Sequence, residues 1–497
     1  MTMKKKILSA AVLAALGVGT AQAVNISTNG LGQVMVAPYY TVQGDEETLL
    51  SIVNTTAETK AVKVRFREAY NSREVLDFNL YLSPHDVWVA KVQDSADGEG
   101  AAIVTNDNSC TVPSVQGAGA DGVPFRTFLF DGSYSSPADR ALDGGPTDLS
   151  RTKEGYFEII EMGVADESNS VWDGNTNGWT DSTHEADGVP DYCAGLRANW
   201  APGGAWKTNS LEGLTPPTGG LFATAALINV QTGTEIGEPM TVLEDFSNIV
   251  MHTDPGDLAP SLGQVNPPTS VAIINDPNAS NIATFYVDNW ANAIDAVSAV
   301  MMAERVINEY TVNPNTEAET DWVVTFPTKW AYADTTSADP FTSRFSYFPL
   351  TDPEGNVVGG SACETLVKVY FDREEQFVEG DIDFSPLPPG GLFELCYEAN
   401  VVTFGGSNTL SAENTVKNFS LADGYTSGWA SIGMYDPSAP TEHVMNAVSG
   451  NVYQGLPVIG FKATKLGNSN VGVGAAYAVS EPHKYARVVS GSGTAAY

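Results

Sequence analysis

The stretch Ala61-Val-Lys-Val-Arg-Phe-Arg67 decides the fold class. Apolar and basic side chains alternate along it, and a period of two places one set on each face of a β-strand. The run from Leu76 to Leu82 repeats the alternation, and Leu49 to Val53 adds a third strand candidate. Short strands separated by turns indicate a sandwich rather than an α/β fold. We therefore predict a mainly β chain, built as a β-sandwich of the immunoglobulin or jelly-roll type.

The basic side chains of this region form a candidate interaction face. Lys63, Arg65 and Arg67 occupy one side of the predicted strand, and Arg73 follows shortly after. One interpretation is a solvated strand face whose charges prevent unwanted edge pairing. The other is a basic face that binds an acidic face of a second copy, or an acidic polysaccharide.

The overall charge excludes some classes of partner. The 497 residues contain 25 Lys and Arg against 60 Asp and Glu, which gives a formal charge of −35. A nucleic-acid binder needs basic side chains to displace counterions from phosphates, so no nucleic-acid partner is predicted. Docking on an anionic membrane surface is disfavoured for the same reason.

The beginning of the sequence predicts export. Residues 1–23 combine three lysines, an apolar core from Ile7 to Val18 and the small-x-small site Ala21-Gln-Ala23, as a cleaved signal peptide does. No later stretch approaches the 18 or so apolar residues of a membrane-spanning helix, so no transmembrane segment is expected in the mature chain. We expect an extracellular or cell-surface protein, with the periplasm as the other open location.

The rest of the chain divides by composition and periodicity. The spacing of Val300, Ala303, Ile307 and Tyr310 predicts one crossover helix over about 291–310. Long stretches rich in Gly, Ser and Asp predict loop insertions. The predicted organisation is two lobes: residues 24–235 as an N-terminal β-sandwich lobe with insertions at about 94–151 and 165–218, 236–320 as a connecting region, and 321–497 as a C-terminal β lobe.

Four cysteines predict two disulfides in an oxidising compartment. Three pairings are possible. We favour Cys110 with Cys193 and Cys363 with Cys396, because each bridge then stays within one half of the chain.

A calcium loop is the best local candidate for a site. The stretch from Asp173 to Asp181 has the form D-x-N-x-N-G, which supplies oxygen ligands at alternate residues, but His184 stands where an EF-hand needs Glu. The stretch also resembles one degenerate thrombospondin type-3 calcium repeat, which continues into Asp187–Asp191. A polar loop of Asx turns, held by Cys193, is the alternative interpretation. The candidate Ca²⁺ ligands are Asp173, Asn175, Asn177, Asp181, Asp187 and Asp191.

No motif predicts a reaction. The sequence has no G-x-S-x-G, H-E-x-x-H, P-loop or G-x-G-x-x-G pattern, so no catalytic residue is proposed, although an enzyme stays open. We predict a secreted, non-catalytic protein of the cell surface or extracellular matrix that acts by self-association or adhesion, with itself, other surface components or polysaccharide as partner. The alternative is a carbohydrate-binding or polysaccharide-acting protein that uses some of Trp172, Trp179, Trp290, Trp322, Trp330 and Trp429 as sugar platforms.

Several phrases resemble an uncharacterised family of exported Gram-negative bacterial proteins. They include Pro38–Val42, Asn71–Pro84, Thr320–Lys329, Asp372–Glu375 and Gly455–Phe461. The resemblance runs through most of the chain and implies export and a single architecture. It implies no site residues.

Overall fold

The computed structural model confirms a mainly β chain, with 45% strand, 10% helix and several antiparallel sheets, as in a β-sandwich. Residues 1–21, most of the predicted signal peptide, lie outside the part of the chain that the structure describes. The structure describes residues 22–133, 145–172, 180–275, 283–332, 339–342, 350–351, 357–358, 362–379, 393–436, 438–439, 441–467, 472 and 476–496.

Fourteen strands in the described part of residues 22–244 build two sheets. Alternating apolar residues bury one face of each sheet against the other, with Phe66, Phe78 and Trp88 in the shared core. The strands are β1 (Asn25–Ile26), β2 (Val34–Thr41), β3 (Glu46–Asn54), β4 (Lys60–Glu68), β5 (Glu74–Leu82), β6 (Val87–Asp94), β7 (Ala101–Val104), β8 (Cys110–Val112), β9 (Val123–Pro124), β10 (Glu154–Ala165), β11 (Leu214–Thr215), β12 (Leu221–Asn229), β13 (Thr234–Glu238) and β14 (Thr241–Glu244).

These two sheets form the N-terminal sandwich. One has eight strands in the order β1-β14-β2-β10-β4-β5-β8, with β11 paired to β10. The other has six, in the order β13-β12-β3-β6-β7-β9. The alternation in the sequence thus predicts β3, β4 and β5 correctly.

The two predicted insertions contain more structure than loops. The first supplies β7, β8 and β9 to the sheets. The second contains the helices α1 (Cys193–Asn199) and α2 (Ala205–Thr208), which cover β5 with a core of Trp172, Trp200 and Trp206. The strands in these two insertions have only two to four residues. Such short strands show no period in the sequence, so they were not predicted.

The connecting region pairs β15 (Thr269–Asn275) with β16 (Ala283–Asn289). The prediction of a helix over 291–310 is half wrong, since α3 (Ala293–Met301) is followed at once by strands. Residues Arg305–Thr311 alternate exposed and buried positions and contain the β-branched Val306, Ile307 and Thr311. That pattern suits a strand, and the helical spacing of residues 300–310 is coincidental.

The remaining strands follow α3. They are β17 (Met302–Ala303), β18 (Arg305–Thr311), β19 (Ala318–Thr325), β20 (Leu350–Thr351), β21 (Val357–Val358), β22 (Glu364–Asp372), β23 (Phe377–Glu379), β24 (Phe393–Leu395), β25 (Ala399–Phe404), β26 (Val416–Phe419), β27 (Ser427–Gly433), β28 (Val444–Asn446), β29 (Val452–Gln454), β30 (Leu456–Pro457), β31 (Ile459–Leu466), β32 (Tyr477–Pro482), β33 (Lys484–Ala486), β34 (Val488–Ser490) and β35 (Thr494–Ala496). Eleven of them build two sheets: a six-stranded sheet (β23-β22-β27-β18-β33, with β24 on β22) packs on a five-stranded one (β26-β25-β19-β31-β32) around Trp322 and Phe404. The others pair outside these two sheets: β17 with β30, β20 with β21, β29 with β28 and β34, and β35 with β16.

The two sandwiches contact each other through a mixed interface. An apolar cluster joins Tyr39 and Leu227 of the first to Val323 and Phe461 of the second. Beside it, the buried Glu154 carboxylate accepts hydrogen bonds from the backbone N–H groups of residues 413 and 414, at 2.9 and 3.2 Å. Buried carboxylates need such partners, so Glu154 fixes the position of this loop against the first sandwich.

Both predicted disulfides are confirmed. Cys110 is bonded to Cys193, and Cys363 to Cys396. The first bridge connects α1 to β8. The second connects Cys363, the residue before β22, to Cys396, the residue after β24.

Candidate functional site

The predicted basic interaction face lies inside the protein. Lys63, Arg65 and Arg67 are 5% exposed or less, and Arg73 is half-buried. The period-two pattern correctly placed them opposite the core, but that side of β4 does not face solvent. Segments 251–262 and 327–330 cover it, through the carbonyl groups of Pro260 and others and the ring of Trp330.

Acidic side chains from neighbouring strands neutralise these cations. Lys63 Nζ lies 2.7 Å from the carboxylate of Asp77, and Arg65 Nε lies 2.6 Å from that of Glu74. Glu158 of β10 lies between the two guanidinium groups, 2.9 Å from Arg67 Nε and 3.7 Å from Arg65 Nη1. We call this group, Lys63, Arg65, Arg67, Glu74, Asp77 and Glu158, the ion-pair layer.

The ion-pair layer is structural, because its charges are used within the chain. Arg67 also donates to the Ser72 carbonyl at 2.8 Å, and its guanidinium lies 4.9 Å from the centre of the Trp330 ring. Burial raises the pKa of Asp77 to about 7, the nearby Glu74 charge adds to this, and Lys63 opposes it. A charge held in this way is not available to a second molecule.

The candidate calcium loop is only partly described. Asp173, Asn175 and Asn177 lie outside the described residues. Asp181 is buried, and its backbone N–H donates to the Trp172 carbonyl at 2.8 Å. Within the ranges given above, no three His, Cys, Asp or Glu side chains are grouped as a metal site would require.

The other two candidate ligands lie in turns. Asp187 is exposed, and its Oδ1 accepts a hydrogen bond from the Val189 N–H at 3.1 Å. Asp191 is half-buried, and its N–H donates to the Thr183 carbonyl at 2.9 Å. His184, in the position where an EF-hand has Glu, lies 3.1 Å from the hydroxyl of Ser83.

Calcium binding remains a prediction from the spacing of the Asp and Asn residues, and unfolding measurements can test it directly. If the loop binds Ca²⁺, a saturating concentration should stabilise the protein by about 3 kcal/mol at a hundredfold excess over Kd. Thermal unfolding with Ca²⁺ and with EDTA should then differ for the parent and coincide for Asp173→Ala. Asp97→Ala, a change in an exposed Asx turn elsewhere, is the matched control. No calorimetric heat and equal melting curves for the parent would refute the site.

Three of the six candidate sugar-binding tryptophans belong to the core. Trp172, Trp290 and Trp322 are at most 5% exposed. Trp330 is half-buried beneath Arg67, and Trp179 lies outside the described residues. Only Trp429, among the tryptophans that the structure describes, is substantially exposed, at 42%.

An open groove of about 860 Å³ lies on the outer face of the six-stranded N-terminal sheet. Residues at alternate positions of β12 and β3 form its floor, and Ala226, Leu49 and Lys91 lie in register across three strands. On the β13 side, Gly237 pairs with Ala226. Because neither residue has a large side chain, space is left above this part of the sheet. We call this feature the outer groove.

The outer groove has an apolar wall and a few polar groups. Val89 on β6 is 48% exposed at one side, next to Val87 at 46%. Ser51 and Thr224 share a hydroxyl–hydroxyl hydrogen bond of 2.8 Å in the floor. The Lys91 ammonium is paired with Glu47 at 2.7 Å. This chemistry suits binding of a largely apolar segment, and it offers no nucleophile paired with a base.

Both sandwiches contribute to the outer groove. Ser480 of β32 lines one end, where its hydroxyl donates to the Gly237 carbonyl. Sequence reasoning missed this site, because a groove depends on which strands become neighbours. The available signal was the small outward residues Ser51 and Ala226 in otherwise regular strands.

No family model, curated protein or solved structure matches the chain. Among the described residues, no helix has the length and apolar character needed to cross a bilayer.

Proposed function

We propose that the chain is an exported, non-catalytic protein of the cell surface or extracellular matrix, which acts by self-association or adhesion. The observation that carries the proposal is the outer groove, an open apolar feature on an exposed sheet face. Two disulfides are typical of an oxidising compartment, in agreement with export.

The proposed occupant of the outer groove is a second copy of this chain. Val87, Val89 and Tyr477 expose apolar surface close to the groove or on the adjoining strand β32, and such patches mark interaction sites. The only ammonium in the lining, that of Lys91, is already paired, so an acidic ligand gains little there. Contact between copies through apolar surface also adds no like-charge pairs to the repulsion that the high net negative charge already imposes.

Filling the groove should weaken self-association. Ala226→Arg places a long charged side chain on the floor, next to Gly237 and Leu49, and should weaken association at least about tenfold, as changes at central interface positions do. Sedimentation velocity and electron microscopy of the mature protein measure this. Ala201→Arg, on an exposed turn, is the matched control. A monomeric parent at high concentration, or normal assembly of Ala226→Arg, would contradict the proposal.

A carbohydrate-binding role is the second candidate function. The exposed ring of Trp429 favours it, since binding proteins use exposed aromatic rings to hold the apolar face of a ligand. A glycan array tests the function in general, and release of reducing sugar would extend it to a polysaccharide-acting enzyme.

A further inference from the structure

Trp429 belongs to a pair of stacked rings on the open face of the six-stranded C-terminal sheet. It lies on β27, directly opposite Phe371 of β22. The two ring centres are 4.4 Å apart and the ring planes differ by 10°. The stack holds the indole at a fixed angle to the sheet, so little side-chain entropy would be lost when a ligand contacts it.

Polar groups border the stack on the same face. Glu309 of β18 is the other cross-strand neighbour of Trp429, with 63% of its side chain exposed, and it pairs with Lys462 at 2.7 Å. Two positions along, and so on the same face, the hydroxyl groups of Thr311 and Ser427 lie 3.0 Å apart. Carboxylates and hydroxyls are the groups that recognise sugar hydroxyls, while an aromatic ring contacts the C–H face of the same sugar.

The charges around the stack favour an uncharged ligand. Asp372 and Glu374 stand at the end of β22, where Arg373 is paired with Glu374 at 3.6 Å. On the other side, Lys462 lies 2.5 Å from Glu481 as well as contacting Glu309. Carboxylates outnumber cations here, so an anionic polysaccharide would be repelled.

We propose that Trp429, held on one ring face by Phe371, forms a platform whose remaining exposed indole surface binds an uncharged polysaccharide chain. The inference rests on the second candidate function and names its ligand class and its site. The polar groups extend along β18 and β27 from Glu309 to Thr311 and Ser427, which suits an extended chain better than a free monosaccharide.

Affinity electrophoresis in gels containing hydroxyethylcellulose, galactomannan or dextran tests the platform, with alginate as the acidic comparison. The parent should be retarded by at least one neutral polymer and not by alginate. Trp429→Leu removes the aromatic face and should weaken binding about tenfold, which corresponds to about 1.4 kcal/mol. Trp429→Tyr keeps an aromatic face and should retain most of the binding. Phe128→Ala, a loss of an exposed ring in the N-terminal part of the chain, should bind as the parent does.

Each contrary result identifies what is wrong. If no neutral polymer retards the parent, carbohydrate binding itself fails. If the parent is retarded and Trp429→Leu behaves identically, the function stands but the platform is wrong. Retardation by alginate alone would overturn the ligand class. Thermal unfolding of both Trp429 variants separates lost binding from lost folding.

Discussion

Replacing Arg65 by Glu should unfold the protein or destabilise it by more than about 3 kcal/mol, the effect expected when a buried ion pair loses one partner. The new carboxylate would lie among Glu74 and Glu158, both at most 9% exposed. The substitution would also remove the Arg65 Nη1–H group that donates a hydrogen bond to the Pro260 carbonyl at 2.7 Å. Urea unfolding followed by circular dichroism measures the change.

An exposed arginine on a strand of the other sandwich provides the control. Arg305→Glu reverses a charge on β18, where 48% of the side chain is exposed and the neighbouring carboxylate is that of Glu304, 3.5 Å away. Pairs of this kind contribute about 1 kcal/mol or less. If Arg65→Glu and Arg305→Glu unfold at the same urea concentration, the ion-pair layer does not stabilise the fold.

The second large effect concerns pH. Burial raises the pKa of Glu398 from 4.5 to about 8, and the nearby Lys329 only partly opposes this. Glu68 and Arg67 are the other charged groups that act on it. Between these two pKa values the folded chain holds a proton that the unfolded chain releases. Stability should therefore fall by about 1.4 kcal/mol for each pH unit through this range.

Other buried groups determine where Glu398 can be observed. Burial raises the pKa of Glu46 to about 7 and that of Asp321 to about 6, so both act in the same direction at lower pH. Burial lowers the pKa of His252 and His483 to about 3, so their contribution to stability is lost as pH falls below 6.5. Burial also raises the pKa of Asp77 to about 7 and that of Glu238 well above its usual value. The difference between the parent and a Glu398 variant therefore isolates the contribution of Glu398.

Glu398→Gln tests this assignment. The amide carries no charge at any pH, so the variant should match the parent near pH 5 and melt at a higher temperature at pH 8.5. Glu413→Gln, an exposed neutralisation near the same interface, should keep the pH profile of the parent. A parent with equal stability at pH 7 and pH 8.5 would show that Glu398 is ionised in the folded state at neutral pH.

The sequence predicts much of the fold because its information is local. Alternation over Ala61–Arg67 and Leu76–Leu82 predicts β4 and β5, and the spacing of cysteines favours the correct bridges. The same alternation cannot reveal whether the basic side of β4 faces water. The answer depends on Glu158, far away in sequence, and on the segment that contains Pro260.

The candidate sites also depend on contacts between residues that are distant in sequence. Trp429 was one of six tryptophans with equal claims, and its exposure depends on the pairing of β27 with β22 and β18. The outer groove depends on β13 lying beside β32 of the other sandwich. A pattern with a period of two specifies faces within a strand, but neighbours are determined by packing over the whole chain.

The pairing of β35 with β16 has a consequence for the order of events during folding. Residues Ala283–Phe285 pair with Thr494–Ala496, so the three-stranded sheet of the connecting region is complete only when the last described residues have emerged from the ribosome. Pairings between such distant segments slow folding. β16 therefore keeps one edge unpaired until residues 494–496 are made, whereas the strands of the N-terminal sandwich pair only with one another and need no later segment.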